Sequence, residues 1–349
     1  MSDDYNKSSS IQFNDGLPLV NELTKAIQEM NLQNPDRFKN NSDAFIICDL
    51  GCSMGLSSVQ FLKAVLTEIK KINPALPIEV YLEDTPFNDF DLALKTVTAG
   101  LQEFTGVKYQ ALPKSFYEKL FENSSVDLFF SSYALHWLPE ALFPQDEQFL
   151  YVCDDDKIIQ KDYVKMEKYI NDCWKQKMHL RAEELKPNGK FLFHVPFTGS
   201  DHHYNPKSIV KFRIARQAFN KVLQNNSCFE LSNQMYIPAT LINEHHLQEH
   251  TKVDFVIEDI VKLGSIPCIY KDTEEFLDVT CGYIKSYTFG IIKSVLAKNL
   301  KPEQVEKILS ETIESWRKDL LQVENDDYSL YRQVIKVSVN PNRVIKNNK

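Results

Sequence analysis

The stretch AFIICDLGCSMGLSSV, from Ala44 to Val59, decides the fold. Ala44, Phe45, Ile46, Ile47 and Cys48 form an unbroken apolar or small run, the pattern of a strand covered on both faces. Val59, Phe61, Leu62, Val65, Leu66 and Ile69 then recur at spacings of three and four, as on a helix packed against a sheet. Between them lies a turn of the form D-x-G-x-x-x-G, with Asp49 at its head and glycines at Gly51 and Gly55. Glycines there allow a tight turn and a close approach of backbone to a bulky ligand at the carboxyl edge of the sheet. Ser53 stands where a G-x-G-x-x-G turn has its middle glycine, and two glycines in a βα turn also arise for geometry alone. A second segment, Pro77 to Asp84, reads as a strand ending in the acids Glu83 and Asp84, where folds of this kind hold ribose hydroxyls. Turn and acids together point to a nucleotide or nucleoside cofactor.

The 349 residues, 43% of them apolar, are enough for one large core or two modest ones. A formal net charge of −8, with Lys and Arg dispersed, gives no basic footprint for nucleic acid or an anionic membrane. The seven cysteines (48, 52, 153, 173, 228, 268 and 281) are odd in number and never spaced C-x-x-C, which favours free thiols over disulfides or zinc. The opening MSDDYNKSSS has no apolar run of the signal-peptide kind, and no later run is long enough to span a bilayer. The expected setting is the cytosol.

Along the chain, Leu17 to Asn31 reads as a helix with Leu19, Val20, Leu23, Ile27 and Met30 on one face. The polar residues before it read, on composition alone, as a frayed tail. After Asp84, Thr85 to Phe90 forms a turn and a helix start capped by Asn88 or Asp89. Val107 to Leu112 is a short strand, Ser115 to Phe121 one or two helical turns, and Val126 to Ser132 another strand covered on both faces. It leads into Tyr133, His136 and Trp137 at the edge where doubly wound sheets bind ligands, although a Trp beside an apolar turn also serves as core. Lys161 to Leu185 is a long helix stopped by Pro187 and the Asn188-Gly189 turn, followed by a strand from Lys190 to Val195. Phe197 to His250 is helical and polar. Its pairs His202-His203 and His245-His246 point apart on a helix, so no metal is expected. A strand over Val253 to Val261, two or three helices over Glu274 to Gln322 and a strand over Tyr331 to Val339 complete an α/β doubly wound sheet with a helical cap.

Five motifs in order resemble the SABATH family of methyltransferases: Tyr5-x-x-x-Ser9-x-x-Gln12, Asp49-Leu-Gly-Cys-Ser-x-Gly55, Glu83-Asp84-x-Pro-x-Asn-Asp-Phe90, Ser115-Phe116-Tyr117 and Ser131-Ser-Tyr-x-Leu-His-Trp-Leu138. That family moves the methyl group of S-adenosylmethionine to the carboxylate of small acids, or to ring nitrogens of xanthines. The resemblance implies a class I methyltransferase fold, a Rossmann-like mixed sheet with an α-helical cap, usually as a homodimer. It puts Tyr5, Ser9, Asp49, Gly51, Cys52, Asp84, Ser115, Phe116 and Ser131 at the cofactor, with Asp84 on the ribose and Ser115 and Phe116 beside the adenine. Gln12, Tyr133, His136 and Trp137 fall at the acceptor, where residues matching Gln12 and Trp137 donate hydrogen bonds to its carboxylate. The N-terminal segment then becomes a lid.

Departures from the family pattern sit at the cofactor: Ser57 replaces a common Asn, Thr85 a Leu after the ribose acid, and Lys114 the glycine before Ser115. The family's F-N-x-P-x-Y-x-P run near a metal is Leu231-Ser232-Asn-Gln-Met-Tyr236-Ile-Pro238 here, so no metal is carried over. The division implied is 1–196 for lid and core, 197–252 for a helical cap insertion and 253–349 for the remaining strands and further cap helices. The expected activity is carboxyl methylation without a general base. Transfer to nitrogen, a nicotinamide-type oxidoreductase and a cofactor-binding protein without turnover are the alternatives.

Overall fold

The computed structural model describes residues 16–140, 159–197, 206–235, 238–239, 244–263, 272–321 and 332–340. Tyr5, Ser9, Gln12 and the His202-His203 pair lie outside them. A seven-stranded sheet of order β3-β2-β1-β4-β5-β7-β6 forms the centre. Its strands are β1 (Phe45–Leu50), β2 (Ile78–Asp84), β3 (Val107–Pro113), β4 (Val126–Ser132), β5 (Leu185–Pro196), β6 (Phe255–Leu263) and β7 (Arg332–Val339). β1 to β5 run parallel, while β7 enters antiparallel between β5 and β6. The chain steps outward from β1 to β3, then returns to the other side of β1 with β4. That reversal opens a crevice at the carboxyl ends of β1 and β4.

Period-two alternation along β1 divides the core. Phe45 and Ile47 pack on one face with α1 (Leu17–Gln33), α3 (Leu56–Ile72) and α4 (Phe90–Gly100). Cys48 and Leu50 pack on the other with Trp174, Met178 and Ala182 of α5 (Ile159–Glu184). A separate helical layer gathers α6 (Pro206–Asn225), a 3₁₀ turn (Phe229–Gln234), α7 (Thr273–Asn299) and α8 (Pro302–Leu320) around their own apolar clusters. The two late strands are thus as the sequence indicates, with two helices in 273–320. Among the described residues, no helix is long and apolar enough to cross a membrane.

Two readings of the sequence change. The helix before β5 ends at Glu184, because Leu185 already pairs with Val126. The next pair is Leu128 with Lys190, so residues 186–189, including the expected Asn188-Gly189 turn, bulge out of the ladder against one residue, Asp127. Ser115 to Phe121 is a series of turns rather than a helix, for a reason that lies in α5 and is described below. Of the two possible caps for α4, Asp89 is the one used: its carboxylate accepts from Leu92 N at 3.0 Å.

The amino ends of the strands are clamped by charge. Asp127, buried, accepts from Arg37 Nε (2.6 Å) and a terminal nitrogen (2.8 Å), from Lys186 Nζ (2.9 Å) and from Ile46 N (2.8 Å). Arg37 stands on the short helix α2 (Pro35–Lys39) and also donates to Ala44 O at 2.6 Å. One carboxylate therefore joins β4, β1, α2 and the β5 bulge. Replacing it leaves two cations facing each other without their anion. Asp127→Asn is expected to cost about 2 kcal/mol or more in urea unfolding, whereas Asp36→Asn on exposed α2 costs under about 0.5 kcal/mol.

Candidate active site

At the end of β1 the backbone turns sharply back over β2. Gly51 (φ +79°) donates its N–H to Glu83 O at 2.9 Å and to a Glu83 carboxylate oxygen at 3.0 Å, and Cys52 N also reaches Glu83 O at 2.9 Å. Ser53, at φ +51°, donates to Asp84 Oδ2 at 2.8 Å, while Thr85 N donates to Asp84 Oδ1 at 2.8 Å. Asn88 closes the turn from beyond, donating to Ser53 O at 2.6 Å. The two acids that end β2 thus split their duties: Glu83 faces back under the turn, wholly buried, and Asp84 holds its outer edge. Burial, with the charge of Asp84 adding, raises the Glu83 pKa well above the usual carboxylate range despite the Gly51 N–H. Asp84 Oδ2 accepts one backbone N–H and keeps a lone pair, while Oδ1 accepts the Thr85 N–H and, at 3.5 Å, the Thr85 hydroxyl; an exchangeable hydroxyl of this kind leaves room for those of a ribose.

The glycines serve the protein itself. A Cβ on Gly51 would lie 2.2 Å from that of Ala134, and one on Gly55 (φ +83°) would meet Val97 at 2.8 Å and Ala93 O at 2.9 Å. Left-handed backbone and a filled neighbourhood therefore require glycine at both places.

Ser115 to Phe121 is shaped by a buried ion pair on α5. Arg181 and Glu184, both about 1% exposed or less, meet through Nε at 2.8 Å and a terminal nitrogen at 3.0 Å. Arg181 also donates to Phe116 O at 3.0 Å and Glu118 O at 2.8 Å; Glu184 accepts from Leu120 N at 2.6 Å and Phe121 N at 3.2 Å. Gln176 adds a bond to Tyr117 O at 2.9 Å. With these groups engaged by α5, the segment cannot satisfy them through its own helical ladder, so it stays a turn.

Beyond β4, Tyr133 adopts φ +54°, donates its N–H to His194 O at 2.9 Å and sets its ring 4.5 Å from that of His194. Such a backbone for a bulky residue stores strain and re-aims the chain. His136 follows, 5% exposed, with Nδ1 buried and unpartnered and its ring 5.6 Å from that of Trp137. Burial, with the charge of Lys177 adding, brings the His136 pKa down to about 3. Trp137 packs on the helical layer and bridges to Ala239, while Leu138 N donates to Pro238 O at 2.6 Å. Tyr117 OH donates to Trp137 O at 2.8 Å.

Asp49, Gly51, Cys52, Asp84, Thr85 and Ser131 stand at the carboxyl ends of β1, β2 and β4, with the Ser115-Phe116 turn beyond β3 and the Tyr133–Trp137 loop after β4. Ser131 is fully buried and its hydroxyl donates to Leu50 O at 2.9 Å, tying β4 to β1. Cys52 is a buried thiol within 3.4 Å of Ser53 O, Ser57 lies in the first turn of α3, and Thr85 is exposed. The sequence reading missed Lys177, Arg181 and Glu184. Their signal was present: with Cys173, Trp174 and Met178 they share one face of α5, where charge interrupts an apolar stripe. Among the described residues, no cluster of three His, Cys, Asp or Glu side chains could hold a metal.

Asp49, 4% exposed, has its pKa pushed up to about 7 by burial, with the charge of Asp84 adding and Ser58 opposing. The folded state then holds a proton that the unfolded chain releases near pH 4, so this group lowers stability as pH rises from about 4 to 7. Asp49→Asn removes that dependence. It is expected to raise the unfolding free energy of the ligand-free protein, read from urea titration at pH 8, by a few kcal/mol at most at about 1.4 kcal/mol per unit, and to leave it nearly unchanged at pH 4.

Residues 2–336 match the model of the SAM-dependent carboxyl methyltransferases. The chain is 31% identical over 179 residues to a salicylate/benzoate carboxyl methyltransferase of Arabidopsis thaliana, covering 47% of this chain and 44% of that protein. It is 27% identical over 161 residues to a probable 7-methylxanthine methyltransferase of Theobroma cacao, covering 42% and 43%. The matched part thus spans less than half the length of these relatives. A solved structure titled loganic acid methyltransferase with SAH superposes with a TM-score of 0.76 over 97% of this chain and 96% of that one, at 18% identity, which shows a class I methyltransferase fold. With the family model matching nearly end to end, this chain belongs to the SAM-dependent carboxyl methyltransferases, the SABATH family.

Proposed function

We propose that this protein transfers the methyl group of S-adenosylmethionine to the carboxylate of a small organic acid, giving a methyl ester and S-adenosylhomocysteine. The observation that carries this reading is the match of residues 2–336 to the SAM-dependent carboxyl methyltransferases, and the chemistry of the acceptor agrees with it. A carboxylic acid with a pKa of about 4 to 5 is already ionised at neutral pH and needs no base. An N–H acceptor must shed a proton, and His136, buried with a pKa of about 3, is a poor recipient. The carboxyl methylation for which the Arabidopsis relative is named, and the likeness to a loganic acid O-methyltransferase of Catharanthus roseus, 24% identical over 270 residues and covering 70% of this chain and 68% of that protein, support the same class.

In this reading Asp84 holds the ribose, Ser115 and Phe116 border the adenine, and Asp49, Gly51, Cys52, Ser57, Thr85 and Ser131 surround the remainder. Tyr5 and Ser9 complete the cofactor set. When bound, the cofactor supplies an electrophilic methyl group on a sulfonium centre. Gln12 and Trp137 orient the acceptor carboxylate as hydrogen-bond donors, and Tyr133 and His136 line its pocket. Neither donor moves a proton; their contribution is position, which can lower a barrier by several kcal/mol. The division into lid and core (1–196), cap (197–252) and remaining strands with cap helices (253–349) gives the pocket its roof. A cytosolic homodimer is the proposed setting, the location supported by buried free thiols at Cys48, Cys52, Cys173, Cys228 and Cys281. Transfer to a ring nitrogen is the second reading, favoured by the 7-methylxanthine relative from cacao.

The test is transfer of labelled methyl to a pooled panel of small acids and xanthines, followed by mild alkali. Label released as methanol is the expected result; label retained through alkali moves the assignment to nitrogen, and cofactor binding without any product favours a binding protein. Trp137→Ala and Gln12→Ala are each expected to lower turnover by about tenfold to a hundredfold, at about 1.4 kcal/mol per tenfold, with S-adenosylhomocysteine affinity in calorimetry unchanged.

A further inference from the structure

Lys177 stands in the middle of α5 with 1% of its surface exposed, and no described residue forms an ion pair with it. Its ammonium lies 4.5 Å from the ring centre of Trp174, 5.2 Å from that of Tyr117 and 5.8 Å from that of Phe116. It donates to Leu135 O, in the loop after β4, and to Tyr117 OH at 3.3 Å. Tyr117 OH in turn donates to Trp137 O. Burying an ammonium without a carboxylate is costly, and here it brings the Lys177 pKa down to about 7. A methionine would fill the same space without that cost. What methionine lacks is the pair of bonds by which Lys177 holds Leu135 O and the Tyr117 hydroxyl together, and so fixes the direction in which that hydroxyl meets Trp137 O.

We propose that Lys177 is a positioning residue through which the Ser115–Tyr117 turn sets the placement of Trp137, so that occupancy of the cofactor turn is felt at the acceptor loop. This rests on the placement of cofactor and acceptor given above. The lever is short. Phe116 borders the adenine side, Tyr117 is the next residue, and its hydroxyl holds the Trp137 backbone while Lys177 holds both the hydroxyl and the carbonyl two residues before Trp137. Arg181, one turn further along α5, ties Phe116 O to the same helix, so the turn backbone is anchored and the rings of Phe116 and Tyr117 carry the response.

The readout is the indole resonance of Trp137 in protein carrying nitrogen-15 at its three tryptophans, Trp137, Trp174 and Trp316, titrated with S-adenosylhomocysteine. In the unsubstituted protein the Trp137 signal is expected to move on binding, while Trp316, buried in the helical layer and bonded to Ala215 O at 2.7 Å, stays still. In Lys177→Met the affinity is expected to hold within about threefold while most of the Trp137 shift disappears. Tyr117→Phe keeps the ring, removes the same link from the other side and is expected to do likewise, which covers a Lys177→Met protein that does not fold. A Trp137 shift retained in these variants overturns the proposal, as does its absence in the unsubstituted protein. Loss of affinity beyond about tenfold in both variants also overturns it, since Lys177 would then only brace the turn. Phe116→Ala separates the two levels: unchanged affinity in that variant sinks the placement of the cofactor at the turn, whereas weakened affinity with the Trp137 shift intact in Lys177→Met sinks the coupling alone.

Discussion

Backbone that leaves a sheet while still inside the protein must find partners for its N–H and C=O groups, and this requirement governs the carboxyl edge of the fold. Here the partners are charged side chains. Arg181 and Glu184 serve four backbone groups of one turn, and Glu83 and Asp84 serve the other. Each is expensive to bury alone, and each is tolerable because the loop it holds surrounds it with dipoles. The dependence is mutual. Without the acids the β1 turn has no reason to lie over β2, and without the turn the acids have no reason to be dry.

The two ends of the strands are therefore held differently. At the amino end one carboxylate collects four donors from separate elements and cross-links them. At the carboxyl end the ties run through α5, a single helix touching both the Ser115–Phe121 turn and the loop after β4. An irregular rim standing on a fixed base is a general solution for enzymes, since rim loops carry chemistry while the scaffold keeps them in register.

Much of this was legible in the sequence. The apolar run at Phe45–Cys48, the paired acids at Glu83 and Asp84 and the late strands each carry a period or a punctuation mark that survives without tertiary context. Ser115 to Phe121 was misjudged because the decisive partners, Arg181 and Glu184, lie more than sixty residues away, and local helical spacing cannot register them. The end of α5 was overrun by one residue because Leu185 suits helix and strand alike, and pairing with Val126 decided it. The glycines were rightly placed at a tight turn, but the space beside them belongs to Ala134, Ala93 and Val97. Lys177 hid in plain view: a lysine on an apolar stripe is ordinarily a solvated chain that reaches outward, and only the rings around it show that this one does not.

Gly51 and Ala134 approach so closely that neither can grow. The contact between the β1 turn and the loop after β4 is thus filled, and a side chain at Gly51, or a longer one at Ala134 aimed at it, would deform the β1 turn. Room for change lies instead at the opposite wall, where Trp137 meets Ala239 across an isolated bridge to the helical layer. A change in this loop is therefore resisted on the sheet side, where a single Cβ has no room, and passes instead into the helices above it.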